Sequence, residues 1–380
     1  MRSRSRPKTV LATNPNADLY GASRMLLESV DGFVAEGWRV VVCIPDGPLV
    51  DMITARGGEV RSVPSPVLRR TMLHPRGMLA MIALTLRSIP QTLRLMREVR
   101  PDVMYVGTII QPLWIALGRL LRIPIVCHVH EAEGTAPVFV RKTLALPLLI
   151  TQRLVINSRF SSKVLTDEWP RLASRCEVVY NGVAGPPTVT EPRQELEGPI
   201  RLLYVGRLSE RKGVQDAVDA VAILAERGVD AHLDIVGDVF PGYEWMIEDL
   251  VARSARAGTT DRVHLLGFDP DIWPHLADAD ILIIPSRLDE PFGNVAVEGA
   301  LAARPMVVSA TSGLLEAAAG FNAVHSVPPG DPSAIADAIG QVADHWSEHR
   351  TGAIADAVDA AERYSLERYS ADLNAIVDSL

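Results

Sequence analysis

The sequence predicts an α/β chain made of two consecutive doubly wound parallel-sheet domains. Three observations predict it. Its 380 residues suit two domains better than one. Short apolar runs alternate with helical patterns in both halves. A stretch rich in proline, glycine and glutamate, from Gly185-Pro186-Pro187 to Gly198-Pro199, separates the two alternations.

Lys8 to Thr13 reads as a buried strand, and residues 14–20 as a loop. Gly21 opens a helical pattern to Glu36, with apolar residues at Met25, Leu26, Val30, Phe33 and Val34. Gly37 ends it, and Arg39 to Ile44 is the next strand. Strand, loop, helix, strand is the opening of a doubly wound sheet. Val103–Val106, Ile125–Val129, Leu154–Asn157 and Glu177–Tyr180 are further strands. After the break come strand Ile200–Val205, helix Gly213–Arg227, strand His232–Val236 and helix Tyr243–Ala257. Val263–Leu266 and Ile281–Pro285 are strands, Asn294–Ala303 is a helix, and Pro305–Ser309 is a strand.

A composition of 48% hydrophobic and 22% charged residues is too apolar for disorder and charged enough for a wet surface. Cys43, Cys127 and Cys176 show no CxxC spacing, which argues against a zinc site or a disulfide frame and for a reducing compartment. The basic start, MRSRSRPK, is followed by an apolar run too short for a secretory leader. No run of about 18 apolar residues exists to span a bilayer. The expected location is therefore cytoplasmic. The net charge of −8 hides an asymmetry: residues 1–183 hold 24 Lys+Arg and 14 Asp+Glu, a net of +10, and the remainder has 14 and 32, a net of −18. Charge alone leaves open nucleic acid, an anionic bilayer or a phosphorylated acceptor for the basic half, or charge complementarity between the halves.

Residues 69–100 carry Arg69, Arg70, Arg76, Arg87, Arg94, Arg97 and Arg100 among leucine, methionine and isoleucine. Such a stretch suits either the surface of an anionic membrane or a helix pair covering the sheet with its arginines in water.

The strongest chemical signal is Glu290-Pro-Phe-Gly-Asn-Val-Ala-Val-Glu298, two carboxylates across a strand-to-helix turn. Backbone N–H groups at a helix start can hold phosphate oxygens, and the helix dipole favours the same charge. Glu298 on that helix can accept hydrogen bonds from ribose hydroxyls, and Glu290 in the loop before it can hold sugar hydroxyls. The second signal is Gly206-Arg-Leu-Ser-Glu-Arg-Lys-Gly213, after the first strand of the second domain. Arg207 and Lys212 on a strand-end loop suit a diphosphate leaving group; by itself the segment also fits a solvated basic loop.

Together the motifs resemble glycosyltransferase family 4, with the GT-B fold of two Rossmann-like domains facing a central cleft. The resemblance runs in order along nearly the whole chain. Tyr20-Gly21-Ala22-Ser23 is similar to the family's N-terminal glycine-rich loop, with Ala22 where a second glycine is common. VCHVHE (Val126–Glu131), Ile156-Asn157-Ser158 and Val179-Tyr180-Asn181-Gly182-Val183 follow. GRLSERKG, DIVGD (Asp234–Asp238), VHLLGF (Val263–Phe268), PSRLDEPFG (Pro285–Gly293) and Val327-Pro328-Pro329-Gly330-Asp331 complete it.

The resemblance implies an acceptor-binding domain over residues 1–183, a linker over 184–199 and a donor-nucleotide-binding domain over 200–365. It also implies a last helix over 366–380 that returns to the first domain. Arg207 and Lys212 would bind the donor diphosphate and Glu298 the ribose. Glu290 would contact the transferred sugar, beside the backbone of Phe292, Gly293, Asn294 and Val295. Gly21 would let backbone approach phosphate. His130 would sit near the sugar and assist catalysis; His128 lies on the same face of the strand, and His130 is preferred because it ends the strand and precedes Glu131. The resemblance further implies retention of anomeric configuration, with the departing diphosphate helping to deprotonate the acceptor. The implied partners are a nucleotide-sugar donor and a hydroxyl acceptor, with a lipid-linked acceptor and an anionic membrane surface left open. No cofactor, metal or nucleic acid is implied.

Asp278-Ala-Asp280 and Asp269-Pro-Asp271 spell DxD, but the first precedes its strand and the second lies in a turn, so neither is expected to hold a metal. No G-x-G-x-x-G follows the first strand, which argues against a dinucleotide dehydrogenase. The same chemistry on a soluble small molecule or polysaccharide, a same-fold epimerase and a silent binding protein are the remaining alternatives, and intact Arg207, Lys212, Glu290 and Glu298 speak against the last.

Overall fold

The computed structural model describes residues 6–18, 21–68, 75–131, 137–240 and 242–380. Tyr20, Arg69 and Arg70, singled out above, lie outside the described residues. The chain divides into two compact units, Met1–Gly182 with Leu366–Leu380, and Val183–Ser365.

The first unit holds β1 (Thr9–Thr13), α1 (Gly21–Ala35), β2 (Arg39–Cys43), α2 (Leu49–Ala55), β3 (Glu59–Arg61), α3 (Pro75–Val99) and β4 (Val103–Val106). It continues with α4 (Pro112–Leu120), β5 (Ile125–Val129), α5 (Val138–Ala145), β6 (Arg153–Ile156), α6 (Arg159–Glu168) and β7 (Cys176–Val178). The seven strands are parallel, in the order β3-β2-β1-β4-β5-β6-β7. Side chains alternate across a strand, so β1 feeds two cores. Val10 and Ala12 pack with α1 and with the C-terminal helix, Leu366–Asp378, through Tyr369, Leu373 and Val377. Leu11 packs on the other face with Leu95, Met96 and Val99 of α3 and with Trp114 of α4.

The arginine-rich segment differs from the expected helix pair. Its described part is one 25-residue helix, α3, which runs through Pro90. Its C-terminal third buries Leu95, Met96 and Val99 in the core and leaves Arg94, Arg97 and Glu98 exposed. Its N-terminal half leaves Met78, Leu79, Ile82 and Leu86 47–65% exposed.

The second unit begins with β8 (Ile200–Val205), α7 (Val214–Glu226), β9 (Ala231–Val236), α8 (Trp245–Ala257), β10 (Val263–Gly267), α9 (Trp273–Asp278) and β11 (Ile281–Ile284). It ends with α10 (Asn294–Leu301), β12 (Met306–Ser309), α11 (Ser312–Ala317), β13 (Val324–Val327), α12 (Pro332–Asp344) and α13 (Trp346–Arg363). Its six parallel strands run β10-β9-β8-β11-β12-β13. Residues 184–199 carry no helix or strand and are largely exposed, as composition suggested, yet they are fastened to this unit. Arg193 ion-pairs with fully buried Asp280 at 2.5 Å, and its carbonyl accepts from the Trp346 indole at 2.9 Å. Arg350 meets Glu191 at 2.5 Å. A carboxylate sealed under β11 must be paired, and the segment supplies a cation for it. Asp280 of the DxD spelling is thus committed to Arg193 and to Arg201, at 3.2 Å.

Candidate functional site

In each sheet the strand order reverses once, between β1 and β4 in the first unit and between β8 and β11 in the second. Helices leave in opposite directions from such a switch point, which opens a crevice at the carboxyl ends of the two strands. In the second unit the sequence-predicted residues follow β8 and β11; in the first, Gly21 comes after β1, while His130 follows β5, one strand beyond the switch point.

In the second unit β8 runs into Gly206–Gly213 and β11 into Pro285–Gly293. Register places Ile281 opposite Leu202 and Leu282 opposite Leu203, so the two loops leave side by side. Gly213 takes a left-handed φ of 67°, and a Cβ there would lie 2.0 Å from the Pro285 carbonyl oxygen. Only glycine lets the loops touch. Lys212 Nζ then reaches Glu290 Oε1 at 2.6 Å, and the Ser286 hydroxyl donates to the same oxygen at 2.6 Å. Glu290 is 6% exposed. Burial pushes its carboxyl up, but the Lys212 charge, the Lys212 and Ser286 hydrogen bonds and the Arg211 charge outweigh it and hold it below the usual range.

Further bonds rivet the loops. Arg287 grips the buried Asp216 carboxylate with two nitrogens, at 2.7 and 2.6 Å. Arg287 N–H donates to the Arg211 carbonyl at 2.9 Å, and the Arg211 guanidinium donates to the Asp289 carbonyl at 2.5 Å. Asp289 in turn accepts from the Ser312 hydroxyl at 2.8 Å.

Arg207 goes the other way. Its guanidinium lies 3.6 Å from the centre of the Phe240 ring, on the loop after β9, a cation–π contact. Buried Tyr204 donates its hydroxyl to the Arg207 carbonyl at 2.8 Å. The two cations read from one motif are therefore directed to opposite neighbours of β8.

Phe292 is buried against Tyr364, ring centres 5.7 Å apart. Gly293 has a φ of 122° and caps α10 without a side-chain hydrogen bond. Asn294 and Val295, half-buried, form the first turn, and buried Glu298 sits on the second turn of the same helix. Phe292–Val295, Glu290, Lys212 and Glu298 thus belong to one strand-end cluster of elements.

In the first unit Gly21 is exposed and opens α1. His130 follows β5, half-buried, and its imidazole makes no hydrogen bond among the described residues. Burial drives it down to about 4. His128, fully buried, stacks on it with ring centres 3.8 Å apart and is held well below its ordinary value by burial and by His130. His128 Nδ1 bonds the Tyr105 hydroxyl, which meets Ser29 Oγ at 3.0 Å; Ser29 also bonds the Tyr369 hydroxyl at 2.7 Å. Glu131 does not pair with the His130 ring. It accepts from the Thr108 hydroxyl and, at 3.1 Å, from the His130 backbone N–H.

A family model described as Glycosyltransferase Family 4 matches residues 20–184, and one described as Glycosyl transferases group 1 matches residues 199–345. The chain belongs to glycosyltransferase family 4. Glycogen synthase of Mycobacterium tuberculosis is 31% identical over 263 residues, covering 65% of this chain and 61% of the relative. A GDP-mannose-dependent alpha-(1-6)-phosphatidylinositol dimannoside mannosyltransferase of the same species is 33% identical over 163 residues, 42% of this chain and 40% of the relative. The chain thus matches less than two thirds of the length of either relative. The crystal structure of Anabaena HepE with UDP and glucose superposes with a TM-score of 0.81 at 21% identity, covering 98% of this chain and 99% of that one. The fold of this family member is GT-B.

Sequence reading missed Asp216, Ser286, Arg287 and Asp289. A signal existed for Asp216, an acid in the first turn of α7 and three residues after Gly213. Nothing in the order of residues linked it to Arg287, because their bond spans 71 positions.

Proposed function

We propose that this chain is a retaining glycosyltransferase that moves a sugar from a nucleoside-diphosphate sugar to a hydroxyl acceptor. The observation that carries the reading is the Lys212–Glu290 pair of 2.6 Å at the β8/β11 switch point, beside the start of α10. An ammonium has three N–H donors, so Lys212 can keep Glu290 and still donate to a diphosphate oxygen. Glu290, held ionised, accepts from sugar hydroxyls through its remaining lone pairs. Backbone N–H groups at the start of α10 supply further anion donors, and Glu298 takes the ribose. Arg207, turned toward Phe240, adds positive charge on the other side of the loop. Stabilising the leaving diphosphate in this way uses cationic side chains where other transferases use a metal. The departing diphosphate then serves as the base for the acceptor hydroxyl on the same face, with His130 assisting.

A thermal-shift panel of UDP, GDP, dTDP and ADP with their sugar conjugates tests the donor site. A ligand at 100 times its Kd adds about 2.7 kcal/mol. One nucleotide is expected to stabilise wild type and not Glu298→Ala. If none stabilises wild type, the donor reading fails. Sugar transfer is expected to survive EDTA, and loss of turnover restored by Mg²⁺ would overturn the metal-free reading.

The acceptor we favour is presented at an anionic membrane surface. Met78, Leu79, Ile82 and Leu86 form an exposed apolar run on α3, with Arg87 beside it, in the half of the chain that carries the net positive charge. One relative bears a phosphatidylinositol acceptor in its name. No described helix is long and apolar enough to cross a membrane. Co-sedimentation with phosphatidylglycerol vesicles at low salt, weakened by Leu79→Glu/Leu86→Glu, is the expected result. Absence of binding favours a soluble acceptor.

A further inference from the structure

A second cluster of chemistry-bearing side chains lies in the second unit, outside the Gly206–Gly213 and Pro285–Gly293 loops. His325 sits on β13, the edge strand of the sheet, and His349 on α13. Their Nε2 atoms are 3.1 Å apart and their ring centres 4.7 Å apart.

Two arrangements can be set against those distances. Two imidazoles sharing a proton head-on at this nitrogen separation would hold their ring centres roughly 5.4 Å apart, given a near-linear N–H···N bond. Two imidazoles converging on one ion at about 2.05 Å would place their nitrogens about 2.9 to 3.3 Å apart and their ring centres roughly 4.8 Å apart. The observed pair fits the second arrangement, and fits equally a hydrogen bond between rings tilted by 55°. Two aromatic nitrogens aimed at one point are a late-transition-metal donor set, whereas Mg²⁺ and Ca²⁺ prefer oxygen.

His345 stands four residues before His349, at the N-terminal boundary of α13, where its carbonyl accepts from the His349 backbone N–H at 3.2 Å. Its Nδ1 lies 3.1 Å from the Gln341 carbonyl. A carbonyl only accepts, so Nδ1 carries the proton and Nε2 keeps its lone pair. A carbonyl that fixes the tautomer in this way is the usual support of a metal-bound histidine. Among the described residues no three such side chains already form a cluster around one ion. The pair is therefore a two-ligand clip, with His345 exposed and in reserve.

We propose that His325 and His349 form a chelating clip for a divalent late first-row transition-metal ion, which staples edge strand β13 to helix α13. The affinity is modest, for a physical reason. Among the described residues His349 Nδ1 is buried without a hydrogen-bond partner, and a metal on Nε2 moves the ring proton there, leaving a buried donor unmatched.

The test is calorimetric titration of the full chain, free of any affinity tag and stripped with chelator, with Zn²⁺ and with Ni²⁺ at neutral pH. One ion per chain is expected, with no heat from Mg²⁺. His325→Ala and His349→Ala should each weaken binding by about tenfold or more. His264→Ala, at a histidine paired with Asp234 at 2.8 Å elsewhere in the unit, should leave it unchanged. Zn²⁺ should raise the melting temperature of wild type and not of His325→Ala. His325 lies half-buried on an edge strand, so that variant keeps the test valid even if His349→Ala folds poorly. Absence of binding to wild type, or binding undiminished in both variants, overturns the proposal.

Discussion

The crevice where β8 meets β11 and the cluster at β4 and β5, one strand beyond the switch point of the first unit, carry opposite chemistry. At the end of β8 and β11 the groups are charged and locked in pairs, Lys212 with Glu290 and Arg287 with Asp216. At the end of β4 and β5 they are neutral and linked by hydroxyls, from Tyr369 through Ser29 and Tyr105 to His128, with His130 stacked beyond. The sheets do not cause the difference, since both are parallel and both bury their strands. The loops cause it: GRLSERKG brings charge to one crevice, while the HVH end of β5 brings imidazoles that burial keeps neutral. The lesson is that a doubly wound sheet fixes where a site is, and strand-end residues fix whether it suits an anion or a hydroxyl.

The sharpest way to break the comparison is to remove the charge on one side only. Lys212→Ala is expected to lower kcat for sugar transfer by about 10²- to 10³-fold and to leave Glu290 buried without its cation. Near-normal turnover would mean that the charged crevice is structural. Gly213→Ala attacks the same crevice through its backbone. Its Cβ would collide with the Pro285 carbonyl at 2.0 Å in a left-handed conformation, and we expect a loss of about 2 to 4 kcal/mol of stability by denaturant unfolding. A loss below about 0.5 kcal/mol would show that the loops separate without penalty.

The limits of reading the sequence follow the same divide. Strands such as Val103–Val106 and Ile281–Ile284 were legible because parallel strands buried on both faces are unbroken apolar runs. The three-residue edge strand Glu59–Arg61 was not, since it is short and partly exposed. Strand Val324–Val327, with two half-buried residues and one exposed, was likewise hidden. Lys212 and Glu290 were each visible in a motif. Their pairing was not, because 78 residues separate them and only the adjacency of β8 and β11 joins them. Strand alternation did put His128 and His130 on one face, but the bond from His128 to Tyr105 depends on β4 lying beside β5.

On the neutral side the expected effects are smaller and depend on pH. His130 is held at about 4, against an ordinary 6.5. A histidine with a depressed folded value binds its proton in the unfolded chain first, so it contributes full stability above 6.5 and loses it as pH falls toward 4. The loss assigned to this ring is no more than about 3 kcal/mol. Wild type should therefore lose stability relative to His130→Asn between pH 7 and pH 4, measured by urea unfolding. Parallel curves over that range would mean that the ring titrates like an exposed one.

The smallest expected effect lies at the far end of the hydroxyl chain. Tyr369→Phe removes the 2.7 Å bond to Ser29 but keeps the ring, which stacks 6.3 Å from His128. Ser29 retains the Tyr105 hydroxyl and the Met25 carbonyl as partners, so no buried polar atom is orphaned. A single replaceable neutral bond is worth about 1 kcal/mol, a melting shift of about 2 to 4 °C in a domain of this size. Ser29→Ala should cost more, because it removes the 2.7 Å bond to Tyr369 and the 3.0 Å bond to Tyr105 at once, leaving the Tyr369 hydroxyl with the longer 3.4 Å bond to the Met25 carbonyl. If the order reverses, Tyr369 acts through something other than this chain of hydroxyls. If it holds, the neutral crevice is built from small separable bonds, where the charged one depends on a few that cannot be removed singly.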